Sequence, residues 1–328
     1  SEVRTEHRKT KVGIVGKAVY QTKFVAESKY VNGVEIVGIC ASSHHDGQEE
    51  SDIFHTEKYD DLLDMVDAVF VISNPEKHYI HTKKALLAGK HVLCAAPIAT
   101  NAQDCKELFE LARSNNLILM DAIKTAYSTA YERLVLLAKG GKIGQVVSVD
   151  SICTSLRDGS SPSKSSSHRW NSMCDWAPTA LLPVFNILGT KYIRKSITSL
   201  FSDEQANMDA FTKIDFVFQN AVASVKVAKG AKAEGELIIT GTKGYIYVPA
   251  PWWKTDYFEL RFENPEENKR FFYQLDGEGI RYEIVAFAKA IESKNNNSYV
   301  SEGISEAIAS VIGDFNDRKD MVIIGAQE

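Results

Sequence analysis

Short apolar runs alternate with amphipathic stretches through the first third of the chain. Lys11 to Val15 reads as a strand, and a helix follows from about Tyr20. Val34 to Cys40 reads as a second strand and Val66 to Ile72 as a third, ended by Ser73-Asn74-Pro75. His78 to Ala88 has the pattern of a helix with Gly89 at its C-terminal end, where a left-handed residue closes helices. Val92 to Cys94 is a fourth strand. Asn101 to Ser114 reads as a helix, because Cys105, Leu108, Leu111 and Ala112 share one face. Leu117 to Met120 is a fifth strand. Apolar strands separated by helices predict a doubly wound parallel sheet, an α/β architecture.

After about Ala122 the pattern changes. A helix is predicted from Ala130 to Ala138, ended by Gly140-Gly141. Longer alternating runs follow at Gln145–Thr154, Ala210–Phe218, Ala221–Val227, Glu234–Thr240, Tyr245–Val248 and Tyr257–Phe262. Consecutive strands without intervening helices predict a large open, mainly antiparallel sheet in a C-terminal α+β domain. Helices from about Gly279 to Ser293 and from Ser301 to Asp317 close the chain. The predicted division is residues 8–124 and 125–328. Ser160 to Ser167 is a Ser-rich loop.

The chain's 328 residues suit two domains, and 44% apolar with 25% charged residues is ordinary globular composition. A net charge of −5 argues against nucleic acid as a partner. No apolar run reaches the roughly 20 residues that span a bilayer. Ser1 to Thr10 is polar and charged, unlike a signal peptide, so a cytoplasmic protein is expected. The five cysteines (Cys40, Cys94, Cys105, Cys153 and Cys174) form no C-x-x-C pair, and buried free thiols are expected. No Cys/His spacing supports a metal.

Candidate chemistry begins at the first turn, Gly13-Ile14-Val15-Gly16-Lys17-Ala18-Val19-Tyr20-Gln21. A dinucleotide fingerprint has glycine at three positions, for a tight turn, close approach of the pyrophosphate and helix–strand packing. Gly16 fills the first position, Ala18 replaces the second and Gln21 the third, where it is expected to loosen packing. A turn that binds no dinucleotide stays open as the alternative. The second strand ends Cys40-Ala41-Ser42-Ser43-His44-His45, without the acid that bonds the ribose hydroxyls of NAD. Small hydroxyl residues there lean toward NADP, although no arginine supports a 2′-phosphate.

These segments resemble the glucose–fructose oxidoreductase / inositol dehydrogenase (Gfo/Idh/MocA) family. The resemblance is carried by Val12-Gly13-Ile14-Val15-Gly16, by Val34-Glu35-Ile36-Val37-Gly38-Ile39-Cys40, and by Ser73-Asn74-Pro75 with His78. Ala88-Gly89-Lys90-His91-Val92-Leu93-Cys94, Gly141-Lys142-Ile143-Gly144 and Gly241-Thr242-Lys243-Gly244 extend it over nearly the whole chain. It implies a Rossmann-type first domain and NAD or NADP held by Gly13, Gly16, Lys17, Ala18, Val19, Tyr20, Ala41, Ser42, Ser43, Ser73, Asn74, Pro75, His78, Ala95 and Ala96. It further implies a sugar, polyol or nucleotide-sugar ligand, a cis Pro97, and a homodimer or tetramer formed through the C-terminal sheet.

The family's fourth strand ends Glu-Lys-Pro, and its lysine helps protonate the reacting oxygen. Those positions are Ala95 and Ala96 here. The family's second-domain motif, an acid followed by His or Tyr and a second acid, aligns with Asp175, Thr179 and Leu182. All eight histidines lie at or before His168, so none beyond it replaces the missing one. The remaining catalytic candidates are Lys124 and Asp175. Lys124 reads either as a replacement amine or as a surface lysine at a domain junction, and Tyr127 has similar standing. Arg157, Lys164, His168, Arg169 and Trp170 form a basic loop that either grips an anion or is simply solvated. Trp252 and Trp253 read as packing or an interface, with a sugar-stacking wall as the alternative. Two functions stay open: an oxidoreductase with displaced catalytic groups, and an inactive relative that binds a ligand, regulates or supports structure, with no cofactor bound as one of its forms.

Overall fold

The computed structural model describes residues 8–42, 52–156, 171–296 and 298–325. In chain order its first elements are β1 (Thr10–Gly16), α1 (Ala18–Ser28), β2 (Val34–Cys40), β3 (Phe54–Thr56), α2 (Tyr59–Leu63), β4 (Ala68–Ile72), α3 (Pro75–Leu87), β5 (His91–Ala95), α4 (Ala102–Ser114) and β6 (Leu119–Ala122). Then come α5 (Thr129–Lys139), β7 (Val146–Thr154), α6 (Ser172–Leu188), β8 (Arg194–Asp203), β9 (Met208–Val217), β10 (Val222–Ala228), β11 (Leu237–Gly241), β12 (Gly244–Val248), β13 (Tyr257–Phe262), β14 (Lys269–Phe272), α7 (Ile280–Ser293), α8 (Glu302–Asn316) and β15 (Met321–Ile324).

The chain forms two compact units. The first comprises Ser1–Ala99, Gln103–Lys124 and Asp276–Glu302, and the second comprises Thr100–Ala102, Thr125–Leu275 and Gly303–Glu328. The chain therefore returns to unit 1 after residue 275, a return absent from a linear division at 124/125. Its cause is the apolar stripe Ile280, Ile284 and Phe287 of α7, all buried. Phe287 lies against Phe70 of β4, ring centroids 5.9 Å apart, and Phe24 of α1 meets the same ring at 5.2 Å.

Among the described residues, unit 1 holds a six-stranded sheet in the order β3-β2-β1-β4-β5-β6, parallel throughout. This is the doubly wound order; all five expected strands lie in it, and β3 is added at one edge. Two edges moved inward from their expected starts. Asp67 gives its N–H to the Lys11 carbonyl at 2.8 Å before β4 begins. Leu117 closes α4 on the Ala112 carbonyl, and Ile118 donates to Nδ1 of His91, so β6 runs from Leu119.

Unit 2 holds a nine-stranded sheet, β14-β13-β12-β11-β7-β10-β9-β8-β15, among the described residues. The β7–β10 and β8–β15 pairs are parallel and the others antiparallel. Alternation puts Ile197, Ile214, Phe216, Val225 and Ile239 on the buried face, where Phe185 of α6 meets Phe216 at 5.8 Å. Gly241 and Gly244 flank the β11–β12 turn, as the family motif implied. The five cysteines are free and buried. No described helix is long and apolar enough to cross a membrane.

Candidate functional site

In a doubly wound sheet the crevice opens at the carboxyl ends of the strands where the order reverses, here between β1 and β4. Gly16, the last residue of β1, pairs with Ile72 of β4. Its φ is +140°, and a Cβ there would lie 2.3 Å from the Ile72 carbonyl carbon and 2.4 Å from the Ser73 nitrogen. Only glycine fits this turn. α1 starts two residues later, with Lys17 at its N-cap and no side chain capping the first-turn amides. Val19 and Tyr20 on that turn are exposed. A turn this tight, feeding a helix start, suits the pyrophosphate of a dinucleotide. The expected loosening at Gln21 is corrected: its side-chain amide donates to the Gly16 carbonyl and latches the turn.

At the tip of β2, Ala41 is half-buried and Ser42 exposed, while Ser43 to Ser51 lie outside the described residues. Asn74 is the N-cap of α3 and Pro75 its first residue, the position proline favours. Ser73 is half-buried, with its Oγ 2.7 Å from Nδ1 of His81. Burial, and then the nearby Lys77 charge, pushes His81 down to about 4. His78 is buried rather than presented to a ligand. Its Nε2 lies 2.6 Å from the Ser73 carbonyl and its Nδ1 2.7 Å from the Pro97 carbonyl. Burial lowers its pKa and the hydrogen bonds to the two backbone carbonyls raise it; donating to both carbonyls takes an N–H on each ring nitrogen. His78 thereby ties the turn after β4 to the turn after β5.

That second turn contains the cis bond Ala96–Pro97. Ala95 and Ala96 are half-buried. Ala95 pairs with Ala122 of β6, and Lys124 follows two residues later. Its Nζ lies 3.2 Å from Oε2 of Glu278, which also lies 3.4 Å from Nζ of Lys23. Lys124 is thus an ion-paired, half-buried amine at the carboxyl end of the strand beside β5. Tyr127 is buried, which makes it a packing residue.

In unit 2, Asn171 caps α6 by accepting the Cys174 N–H at 2.8 Å. Ser172 donates its N–H to Oδ1 of the buried Asp209 at 2.7 Å, tethering the helix start to β9. From Ser172 to Phe185 the helix is buried except at Asp175, Trp176 and Thr179, which form a half-buried stripe. Asp175 pairs with Lys229 at 2.5 Å. The indole N–H of Trp176 donates to Ser155 Oγ at 3.1 Å, and its ring meets Trp253 edge-on at 4.8 Å. Leu182, at the aligned position of the second acid, is 0% exposed. Trp252 is wholly buried and donates to the Ile152 carbonyl at 3.0 Å, which makes it packing. Trp253 stays half-buried beside Trp176. Arg157, Lys164, His168, Arg169 and Trp170 lie outside the described residues.

The sequence reading missed Trp176, Lys229 and Glu283. Only Glu283 left a signal, as a lone acid inside the apolar stripe of α7. Among the described residues no group of three or more His, Cys, Asp or Glu side chains could hold a metal.

The first unit is thus a doubly wound dinucleotide-type fold, with Gly16 holding the tight turn at the switch point. Residues 10–122 match the GFO_IDH_MocA model, described as an oxidoreductase family with an NAD-binding Rossmann fold. It is 38% identical over 92 residues to dTDP-3,4-didehydro-2,6-dideoxy-alpha-D-glucose 3-reductase of Streptomyces violaceoruber, covering 27% of each protein. It is 30% identical over 114 residues to scyllo-inositol 2-dehydrogenase (NADP(+)) IolU of Bacillus subtilis, covering 34% of this chain and 33% of that one. The matches therefore span a third or less of these relatives' length. The structure of KijD10, a 3-ketoreductase from Actinomadura kijaniata in complex with NADP and TDP-benzene, superposes with a TM-score of 0.83 at 17% identity, covering 97% of this chain and 100% of that one. UDP-N-acetylglucosamine 3-dehydrogenase GnnA from Acidithiobacillus ferrooxidans gives 0.77 at 13% identity, covering 95% and 98%. At such identities the likeness is one of fold, and it extends over both units.

Proposed function

We propose that this chain is an NAD(P)-dependent oxidoreductase acting on a sugar or nucleotide-sugar, with Lys124 in place of the lysine that Ala96 replaces. The observation that carries this reading is the ion-paired Lys124 amine at the end of β6, the strand paired with β5 at Ala95. An ammonium there would protonate a developing alkoxide, work that in general acid catalysis contributes roughly 10²–10⁴-fold. The nicotinamide, when bound, supplies or accepts hydride. Gly13, Gly16, Lys17, Val19 and Tyr20 would hold the pyrophosphate side, and Ser42 with Ser43 the ribose side. The absence of an acid after Cys40 favours NADP over NAD. Asp175, paired with Lys229 beside Trp176, is the candidate sugar contact of unit 2.

The open face of the unit 2 sheet supports pairing with a second copy. Leu200, Val222, Phe272, Val322 and Ile324 are exposed, and the strand registers place them on that face. Five buried free thiols suit a reducing, cytoplasmic setting.

A second reading, an inactive ligand-binding relative, is favoured by Leu182, which fills an aligned acid position with buried hydrocarbon. The two separate in one experiment. NADPH and NADH are titrated by fluorescence, and a panel of sugars, polyols and nucleotide-sugars is then assayed. Cofactor binding with turnover that falls about 100-fold or more in Lys124→Met, at unchanged cofactor affinity, supports the oxidoreductase. Cofactor binding without turnover supports the inactive relative. Failure of either nucleotide to bind at millimolar concentration overturns the dinucleotide reading itself.

A further inference from the structure

Unit 2 carries two adjacent tryptophans in different settings. Trp252 is wholly buried, and its indole N–H donates to the Ile152 carbonyl at 3.0 Å. Trp253 follows it on the 3-10 turn Trp252–Lys254 and stays half-buried. Its ring is braced from three directions. Gly235, at φ +85°, lies against the six-membered part of the indole, where a Cβ would stand 3.0 Å from Cζ3. The Trp176 ring meets it at a centroid distance of 4.8 Å and an angle of 60°, and the Trp252 ring at 6.4 Å and 88°. The Thr125 hydroxyl donates to the Trp253 carbonyl at 2.8 Å and pins the backbone as well. Trp252 thus serves the core, while Trp253 is held rigid and left partly open. A ligand laid on such a ring orders no loose side chain, which lowers the entropy cost of binding.

Polar groups converge beside this pair of rings. β7 and β10 run parallel, and Thr154 and Ala228 stand opposite each other at their ends. Just past those ends the Ser155 N–H donates to the Ala228 carbonyl at 3.0 Å, and Ser155 Oγ accepts the indole N–H of Trp176 at 3.1 Å. Lys229, the residue after Ala228, pairs with Asp175, the residue before Trp176, at 2.5 Å. Thr179, one turn along α6, adds a hydroxyl to the same half-buried stripe. The carboxylate neutralises the ammonium, so the pair has no net charge, and a phosphate group would have to displace Asp175 to reach Lys229. Fixed aromatic rings beside a balanced donor and acceptor suit a neutral ligand, with hydroxyls around its rim and C–H bonds on its face.

We propose that Trp253 and Trp176 form a wall against which a six-membered polyhydroxy ring, a pyranose or a cyclitol, lays its C–H face, while Asp175 and Lys229 bond its hydroxyls. The proposal rests on the reading of the chain as acting on a sugar, and it narrows that reading to cyclic ligands. Hydroxyl recognition alone would accept an open-chain polyol of similar composition. A flat wall discriminates against it, because an open chain must give up several free rotations to present one apolar face. Trp253 is a specificity residue on this account, with no part in hydride or proton transfer.

The test uses the whole protein without cofactor, so it reads binding and not turnover. Saturation-transfer NMR is run with the methyl glycosides of glucose, galactose and mannose, with myo-inositol, with UDP-glucose and dTDP-glucose, and with sorbitol as the open-chain control. At least one ring ligand should take up saturation on the C–H protons of one ring face, and sorbitol should take up none. Whether a glycoside or the cyclitol responds identifies which kind of ring the wall takes. Trp253→Leu keeps apolar bulk on the turn and removes the aromatic face, so it should weaken that binding about 10-fold or more, and Trp253→Phe should retain part of it. Thermal midpoints check that each variant is folded, and Trp176→Leu, on the accessible stripe, gives the same reading should Trp253→Leu fail to fold. Absence of ring binding, an equal response from sorbitol, saturation centred on the base of a nucleotide-sugar, or an affinity unchanged in the leucine variants overturns the wall. None of these touches the oxidoreductase reading, which falls instead if turnover is indifferent to Lys124→Met.

Discussion

At the end of β5, Ala95 and Ala96, the positions where the resemblance implied an acid and an amine, carry methyl groups, and both are half-buried. On α6 the aligned positions divide: Asp175 and Thr179 lie on the half-buried stripe, while Leu182 is enclosed. The first region carries no charge where the resemblance implied two, and has the cis Ala96–Pro97 turn and the His78 bracket in place. In the second, the position where the resemblance implied an acid is core. Loss at a surface reverses at little structural expense, whereas loss to a core does not, because packing has closed around the new side chain.

The sharpest break of this comparison is Leu182→Asp. It removes buried hydrocarbon and encloses a carboxylate with no partner, at an expected destabilisation of about 4 kcal/mol, near the upper end for one substitution. Urea unfolding measures it. Thr179→His, one turn earlier on the accessible stripe, should stay within about 1 kcal/mol of the parent. Equal effects of the two would show that α6 is not divided into core and stripe.

Gly16→Ala comes next. The new Cβ would sit 2.3 Å from the Ile72 carbonyl carbon, and alanine rarely adopts a φ of +140°. A loss of about 3 kcal/mol is expected, together with weaker NADPH binding in a fluorescence titration. A Gly16→Ala protein of parental stability would mean that the turn relaxes freely and that its shape is not what the glycine preserves.

The glycine turn was legible because positive φ and close approach leave a trace in residue type. β2 and β13 were found at their observed bounds because unbroken or alternating runs end at polar turns. β3, β14 and β15 span three or four residues, too few to display a period. α6 is apolar around most of its circumference and contains Pro178 and Pro183, so no polar face marked it as a helix. The Gln21 latch and the Trp176–Trp253 contact depend on side-chain reach, which spacing does not encode. Glu283 is the instructive case: its place in an apolar stripe was visible, but the burial of its carboxyl arises from the chain's return to unit 1.

That return has a pH signature. The folded pKa of Glu283, about 8, exceeds the ordinary 4.5, so the folded state binds this proton more tightly. Its contribution to stability is complete below about 4.5 and is lost as pH rises to about 8, with a slope of at most about 1.4 kcal/mol per pH unit. His81, lowered from 6.5 to about 4, acts on the other side, its contribution complete above 6.5 and lost as pH falls toward 4. Urea melts from pH 5 to 8 should therefore fall less steeply for Glu283→Gln than for the parent. Parallel curves would place the Glu283 carboxyl in water rather than in the core of unit 1.

Asp175→Asn tests the stripe itself. The Asp175–Lys229 pair is partly buried on both sides, so its loss should remove about 1–2 kcal/mol in urea unfolding. That lies between the effects at Leu182 and Thr179, as a half-enclosed pair requires. A change below about 0.3 kcal/mol would class the pair with exposed ion pairs and leave Asp175 free for ligand contact alone.

The smallest structural effect is expected at Ala96→Lys, and it bears most directly on the contrast between the two regions. A half-buried alanine at a strand end has space to extend a flexible chain outward, and a lysine there can keep its ammonium in water. Stability should change by less than about 1 kcal/mol, read as a thermal midpoint beside the parent. If the β5 end lost only its charge, the same substitution placed in Lys124→Met should restore part of the missing turnover, since an amine again stands beside β6. A fall of more than about 2 kcal/mol would mean instead that the β5 end has closed as Leu182 has, at a size of effect that single surface changes rarely reach. The two regions would then have diverged by the same route, through packing rather than through charge.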